Sequence, residues 1–198
     1  MKINRFLTRA LLTFCVAATA PEPRAALAQE SWGPSPTMGS LGSADYQQSL
    51  ICPTGKHAIG VTVYAATYVN GFELECATLG ANGEHQSIGT VSGMVGGSVG
   101  GAPKQLRCPS GKVMVGFQGR QGMWIDRVQV ACKPWRVSAG GTDGSVTWTS
   151  AAGGTGGVAY GPVNCGGKTG VRRIDGWHGH FLLQGELVHS YWFYCRGP

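Results

Sequence analysis

The chain lacks most of the signatures that would make it an enzyme or a metalloprotein. Neither Gly-x-Ser-x-Gly nor His-Glu-x-x-His occurs, so no familiar hydrolase or zinc-protease motif is present. Close Cys-x-x-Cys pairs are absent, which removes the usual zinc-ligand spacing. Gly167-Lys168-Thr169 imitates the end of a phosphate loop, but Pro162 stands where its first glycine belongs. Nor does any stretch carry the pattern of a long helix. The one sustained apolar run, Leu11 to Ala20, is shorter than the roughly 20 residues of a membrane span.

That run belongs instead to a leader. Lys2, Arg5 and Arg9 precede it and Ala26-Leu27-Ala28 follows it, the three parts of a secretory signal peptide covering residues 1–28. Cys15 lies within the run behind the bulky Phe14, a poor setting for a lipid anchor, so cleavage and release are expected. Cleavage removes Lys2, Arg5, Arg9 and Arg24 against Glu22, taking 16 basic and 10 acidic residues to 12 and 9, a net of +3 in place of +6. So modest a balance gives no reason to expect nucleic acid or an anionic membrane as partner.

What the chain has is a unit written three times. Cys108-Pro109-Ser110-Gly111-Lys112 opens the middle copy, which continues through Val113, Val115 and Phe117, a turn rich in Gly and Arg, and a second apolar stretch closing at Cys132. Cys52-Pro53-Thr54-Gly55-Lys56 opens the first copy, which closes at Cys76; Cys165-Gly166-Gly167-Lys168 opens a looser third, which closes at Cys195. First cysteines recur every 56 or 57 residues, each behind a glycine cluster: Gly39 to Ser43, Gly96 to Gly101, and Gly153 to Gly157. An internal threefold repeat follows, with copies at about 31–80, 88–134 and 147–198 in a single domain over 29–198. Ala81 to Ser87 and Lys133 to Val146 read as connectors.

Period-two alternation in Val113 to Phe117 and Ile125 to Val130 marks half-buried strands separated by Gly-rich turns. Three small sheets, each with one apolar face, can bury those faces against one another around a threefold axis, which predicts an all-β prism. Loss of Cys15 leaves six cysteines in an oxidising compartment, and repeat symmetry selects Cys52–Cys76, Cys108–Cys132 and Cys165–Cys195 among the pairings open to them. Each bridge would stabilise by ~3 to 4 kcal/mol, less any strain.

The segment from Val115 to Val128 resembles the strand, loop and strand of jacalin-related lectins, with Gly122-Met123-Trp124-Ile125-Asp126 standing as the Gly-x-x-x-Asp sugar loop. The three-repeat, disulfide-bearing layout is also similar to the vitelline membrane outer layer protein family. Both resemblances imply a β-prism of three Greek-key-like sheets, here disulfide-stabilised. The lectin resemblance further implies a carbohydrate site in which the Asp126 carboxylate accepts from sugar hydroxyls and the amides of Met123 and Trp124 donate. A glycine-rich loop at Gly100 or Gly101 would allow close approach. Trp124 would add an apolar plate at the loop edge. Counting back from the second cysteines places Asn70 and His189 where Asp126 sits, so one principal site, in the middle repeat, is expected.

Each functional reading has a plainer rival. Asp126 also suits a hairpin turn, or a pair with Arg120 or Arg127. Trp32, Trp135, Trp148, Trp177 and Trp192 read as packing residues. His178 and His180 share a strand face without an evident third ligand, so a solvated hairpin is expected and no metal. Glu73 and Glu75 share a solvent-facing side of one strand, whereas catalytic acid pairs flank a cleft. The sequence therefore predicts a secreted, carbohydrate-binding, non-enzymatic protein with glycans or glycoconjugates as partners, no cofactor and no membrane span. A structural or envelope-associated interaction protein of the same fold is the first alternative; a carbohydrate-active enzyme using Glu73, Glu75 or Glu186 is the second. Lectin valency commonly comes from oligomers, and the sequence specifies none.

Overall fold

The computed structural model describes residues 34–40, 46–181 and 185–197. The leader 1–28, Trp32 and Leu41-Gly42-Ser43 lie outside the described residues. In chain order, β1 (Met38–Gly39) and β2 (Tyr46–Ile51) precede the first cysteine of the repeats. Then come β3 (His57–Ala65), β4 (Val69–Leu79), β5 (His85–Thr90), β6 (Val95–Gly96) and β7 (Ala102–Arg107). The middle of the chain forms β8 (Lys112–Gln121), β9 (Ile125–Arg136), β10 (Gly141–Thr142), β11 (Thr147–Trp148), β12 (Ala152–Gly153) and β13 (Val158–Asn164). The hairpin of β14 (Gly170–His180) and β15 (Glu186–Arg196) comes last.

These strands make three antiparallel sheets. Sheet one runs β5-β4-β3-β7 with β6 also on β4; sheet two runs β10-β9-β8-β13 with β11 and β12 also on β9; sheet three runs β1-β15-β14-β2. In sheets one and two a hairpin is followed by a third strand beside its second member, and a fourth returns beside the first, which is a Greek key. Sheet three reaches the same arrangement by borrowing β1 and β2 from the opposite end of the chain. The chain is an all-β prism of three Greek-key-like sheets.

The sheets are offset from the sequence repeats by one strand. The strand before each opening cysteine leaves its own repeat and pairs with the previous hairpin: β7 with β3, β13 with β8, and β2 with β14. The cysteines themselves follow, for the amides of Cys52, Cys108 and Cys165 donate to Arg172, Ile59 and Val115 in those hairpins. The stretches expected to be connectors are also partly strand, since β5 begins at His85 and β9 runs on to Arg136 before β10. Continued pairing there satisfies backbone groups that a bare connector would leave to water.

Because of the offset, each disulfide joins two sheets. Cys52–Cys76 ties the end of β2 in sheet three to β4 in sheet one; Cys108–Cys132 ties sheet one to sheet two; Cys165–Cys195 ties sheet two to sheet three. The ring so formed surrounds a core that repeats with the sequence. Leu50 and Leu106, two residues before their cysteines, are buried, and Val163 packs against the same core. Phe72, Val128 and Tyr191, four residues before the closing cysteines, fill its middle, and the Tyr191 ring meets Phe72 and Phe117 edge-on at 5.5 and 4.9 Å. The Tyr191 hydroxyl, fully buried, shares a hydrogen bond of 2.5 Å with Tyr160. Trp135 is buried in a second cluster with Val113, Val115 and Ala131, whereas Trp148, Trp177 and Trp192 are half-buried.

Replacing Cys108 and Cys132 together by Ala should lower unfolding free energy by about 3 kcal/mol, since the bridge closes a long loop in the unfolded chain. Urea denaturation of the oxidised proteins measures it; an unchanged midpoint would contradict the inter-sheet staple.

Candidate functional site

At the end of the prism away from the disulfides, each main hairpin carries the same irregularity. In β4, β9 and β15 one residue is left without a cross-strand partner towards the turn end of the hairpin: Asn70, Asp126 and His189. Such a bulge re-aims its side chain and bends the strand. Its carbonyl is taken by a glycine cluster, for Gly97 N–H donates to Asn70 at 2.9 Å and Gly154 N–H to Asp126 at 2.8 Å. Gly39, Gly96 and Gly153 all have positive φ, and a Cβ built on any of them would collide with the carbonyl oxygen of His189, Asn70 and Asp126 respectively. Only glycine fits there.

In the middle repeat the Gly122–Trp124 turn is closed by Gly122 N–H donating to the Trp124 carbonyl at 2.9 Å. Asp126 points under the Gly153–Gly157 loop and is only 4% exposed. Cβ atoms added to Gly156 and Gly157 would lie 2.5 Å from its two carboxylate oxygens, so the loop approaches the acid with bare backbone. Arg120 holds that loop, donating from Nε to the Gly156 carbonyl at 2.7 Å and from Nη2 to the Gly157 carbonyl at 2.6 Å. Asp126 Oδ2 is buried and has no hydrogen-bond partner within the protein. Burial raises the Asp126 pKa, opposed by the Arg120 charge and the Gly122 amide.

Several residues singled out from the sequence stand elsewhere. Gly100 and Gly101 do not approach Asp126: Gly101 packs on Ala65, and Gly100 lines a cleft of about 330 Å³ with Ala66, Thr67, Tyr68 and Asn70 of the first repeat. The cluster beside Asp126 is the one after it in the chain, because β13 returns to β8. Trp124 is no exposed plate. It is 7% exposed, with its ring centroid 3.6 Å from that of His189 and 5.4 Å from that of Phe181. Met123 is exposed, and its carbonyl accepts from Ser40 Oγ at 2.9 Å. Gly122 stays at the site, within reach of Asp126 Oδ2. The sequence reading did not place Gly154, Gly156 and Gly157 beside Asp126, nor Arg120 as the residue that holds their loop.

Of the three carboxylates named for the catalytic alternative, Glu75 is unsuited to act as an acid. Glu75 does not face solvent: it is 2% exposed and accepts hydrogen bonds from Thr62, Gln105 and Arg107 at 2.9, 2.7 and 2.7 Å. Burial alone would raise its pKa, but those bonds and the Arg107 charge outweigh it and hold the carboxyl below its ordinary value, the opposite of what a general acid requires. Glu186 lies 3.9 Å from His178 Nδ1 and 3.6 Å from His180 Nε2, and among the described residues no group of His, Cys, Asp or Glu is arranged to hold a metal.

No protein-family model and no curated protein matches the chain. Solved structures do. A Malaysian banana lectin superposes with a TM-score of 0.56 at 12% identity over 84% of this chain and 99% of its own. A mannose-binding jacalin-related lectin from Ananas comosus gives 0.51 at 13% identity, covering 83% and 99%. The fold is that of the jacalin-related lectins. A prostate-specific WGA16 glycoprotein lectin shares it, with a TM-score of 0.53 at 13% identity over 82% of this chain and 99% of that one.

Glu75 and Asp126, both buried, predict opposite pH behaviour. Glu75, with its pKa lowered, contributes stability above its ordinary value of 4.5 that is lost as pH falls through the folded pKa; Glu75→Gln should therefore cost more at pH 7 than at pH 3. Asp126, with its pKa raised above 3.8, weakens the fold as pH rises through the folded value, so Asp126→Asn should be relatively more stabilising at pH 7 than at pH 3. Denaturation midpoints at the two pH values check both signs.

Proposed function

We propose that the chain is a secreted carbohydrate-binding protein whose principal site is the Gly122–Asp126 turn with the Gly153–Gly157 loop. The observation that carries this is the Asp126 Oδ2 atom, a buried acceptor without a partner, set beneath Gly156 and Gly157, which place no side chain over it. An ionised acceptor left unsatisfied costs free energy that sugar hydroxyls can restore, and charge-assisted bonds of this kind are the strong ones. The backbone groups of Gly154 to Gly157 supply the complementary contacts once the loop yields to the sugar. Carbohydrate stacking falls to the exposed Met123 side chain and the loop backbone, not to Trp124. Neither a cofactor nor a catalytic group enters this reading. Residues 1–28 act as the leader, and N-terminal sequencing of the exported protein should begin at Gln29.

A second reading draws on the sealing of the site. With Asp126 at 4% and Trp124 at 7% exposure, the turn also suits an interaction protein of the same fold that binds no sugar. The mature, oxidised protein on a broad glycan array with EDTA present separates the two. Retained binding in EDTA that is lost in Asp126→Asn, with thermal unfolding no lower than that of wild type, is the lectin outcome. Absence of binding by wild type and variant alike would remove the lectin reading and leave the interaction protein.

A further inference from the structure

The outer faces of the three sheets handle arginine differently. On sheet one, Arg107 of β7 pairs with the buried Glu75 at 2.7 Å. On sheet three, Arg173 pairs with Asp175, two residues along β14, at 2.6 Å, and Asp175 is 1% exposed. Sheet two sets Arg120 of β8 directly opposite Arg127 of β9, with Gln118 and Gln129 on the next same-face rung, hydrogen-bonded at 3.1 Å. Among the described residues no carboxylate forms an ion pair with either arginine. Arg127 Nε is buried and has no hydrogen-bond partner. Like charges placed opposite one another across a strand pair repel. The two guanidinium groups border a shallow cleft of about 280 Å³, together with Gln118, Gln129, Ala159 and Tyr160.

We infer that this cleft is a subsite for an anionic substituent, a carboxylate or sulfate ester, carried by the glycan whose hydroxyls Asp126 receives. The inference rests on the carbohydrate reading of the Asp126 site and adds the class of glycan. Planar guanidinium forks match the paired oxygens of carboxylate and sulfate. Arg120 joins the two regions, since the same side chain that borders the cleft holds Gly156 and Gly157 over Asp126. An anion in the cleft would give Arg120 and Arg127 the kind of partner that Glu75 gives Arg107 and Asp175 gives Arg173.

The test compares wild type, Arg127→Gln, Gln129→Glu and Asp126→Asn for binding to neutral, uronic-acid-bearing and sulfated oligosaccharides of matched length. Wild type should prefer an acidic series to the neutral one by about tenfold, a preference that weakens in high salt. The uronic and sulfated arms show which anion the cleft takes. Arg127→Gln should bring acidic binding down to the neutral level and leave neutral binding unchanged. Gln129→Glu, which sets a carboxylate two residues from Arg127 as Asp175 is from Arg173, should do the same without lowering thermal stability, and it decides the matter if Arg127→Gln fails to fold. Equal or weaker wild-type binding of acidic glycans, or a preference that survives Gln129→Glu, overturns the subsite. In that case, neutral binding that is lost in Asp126→Asn leaves the lectin reading standing. No binding to any series overturns both.

Discussion

The structure depends on an exchange of strands between successive repeats. Each hairpin has an edge on its first strand, and that edge is closed by a strand from another repeat, the one that precedes an opening cysteine: β7 on β3, β13 on β8, and β2 on β14. An open edge is a template for unwanted pairing, and a sheet of two strands is marginal alone. Exchange meets both demands. The edge and the bulge of the last hairpin are completed by β2 and β1 from the start of the described chain, which closes the ring.

The same exchange makes the disulfides inter-sheet staples and sets the glycine clusters over the bulges. It also brings one arginine to its carboxylate. Arg107 reaches Glu75 only because β7 lies beside β3. On the middle sheet Arg120 and Arg127 face each other, and the β13 strand beside them, Val158–Asn164, carries no acidic residue either. The placing of the glycine loops over the bulges is a consequence of one topological choice acting on three unequal copies.

This explains what could be read in advance. The repeat, the strands around Cys108 to Cys132 and the cysteine pairing were legible because each is expressed in local periodicity or in spacing from a cysteine. The identity of the site loop was not. Gly100 lies 26 residues before Asp126 and Gly153 lies 27 after it, so separation along the chain does not choose between them. Trp124 looked like a loop-edge residue because its neighbours in sequence are Gly122 and Met123, whereas its neighbours in space are His189 and Phe181 from the third repeat. Glu75 looked solvent-facing for a similar reason, since the strand that buries it starts at Ala102. All three differences trace to contacts made across repeats, where neither local pattern nor spacing carries a signal.

The central claim is that the exchanged loop Gly153–Gly157, and not Gly96–Gly101, forms the sugar site with Asp126. Amide NMR shifts of the ¹⁵N-labelled mature protein, followed during titration with a bound oligosaccharide, test it most directly. The account predicts that the largest changes fall on Gly122, Gly154, Gly156 and Gly157. Changes confined to Gly96–Gly101 and the Ala66–Asn70 turn would contradict it.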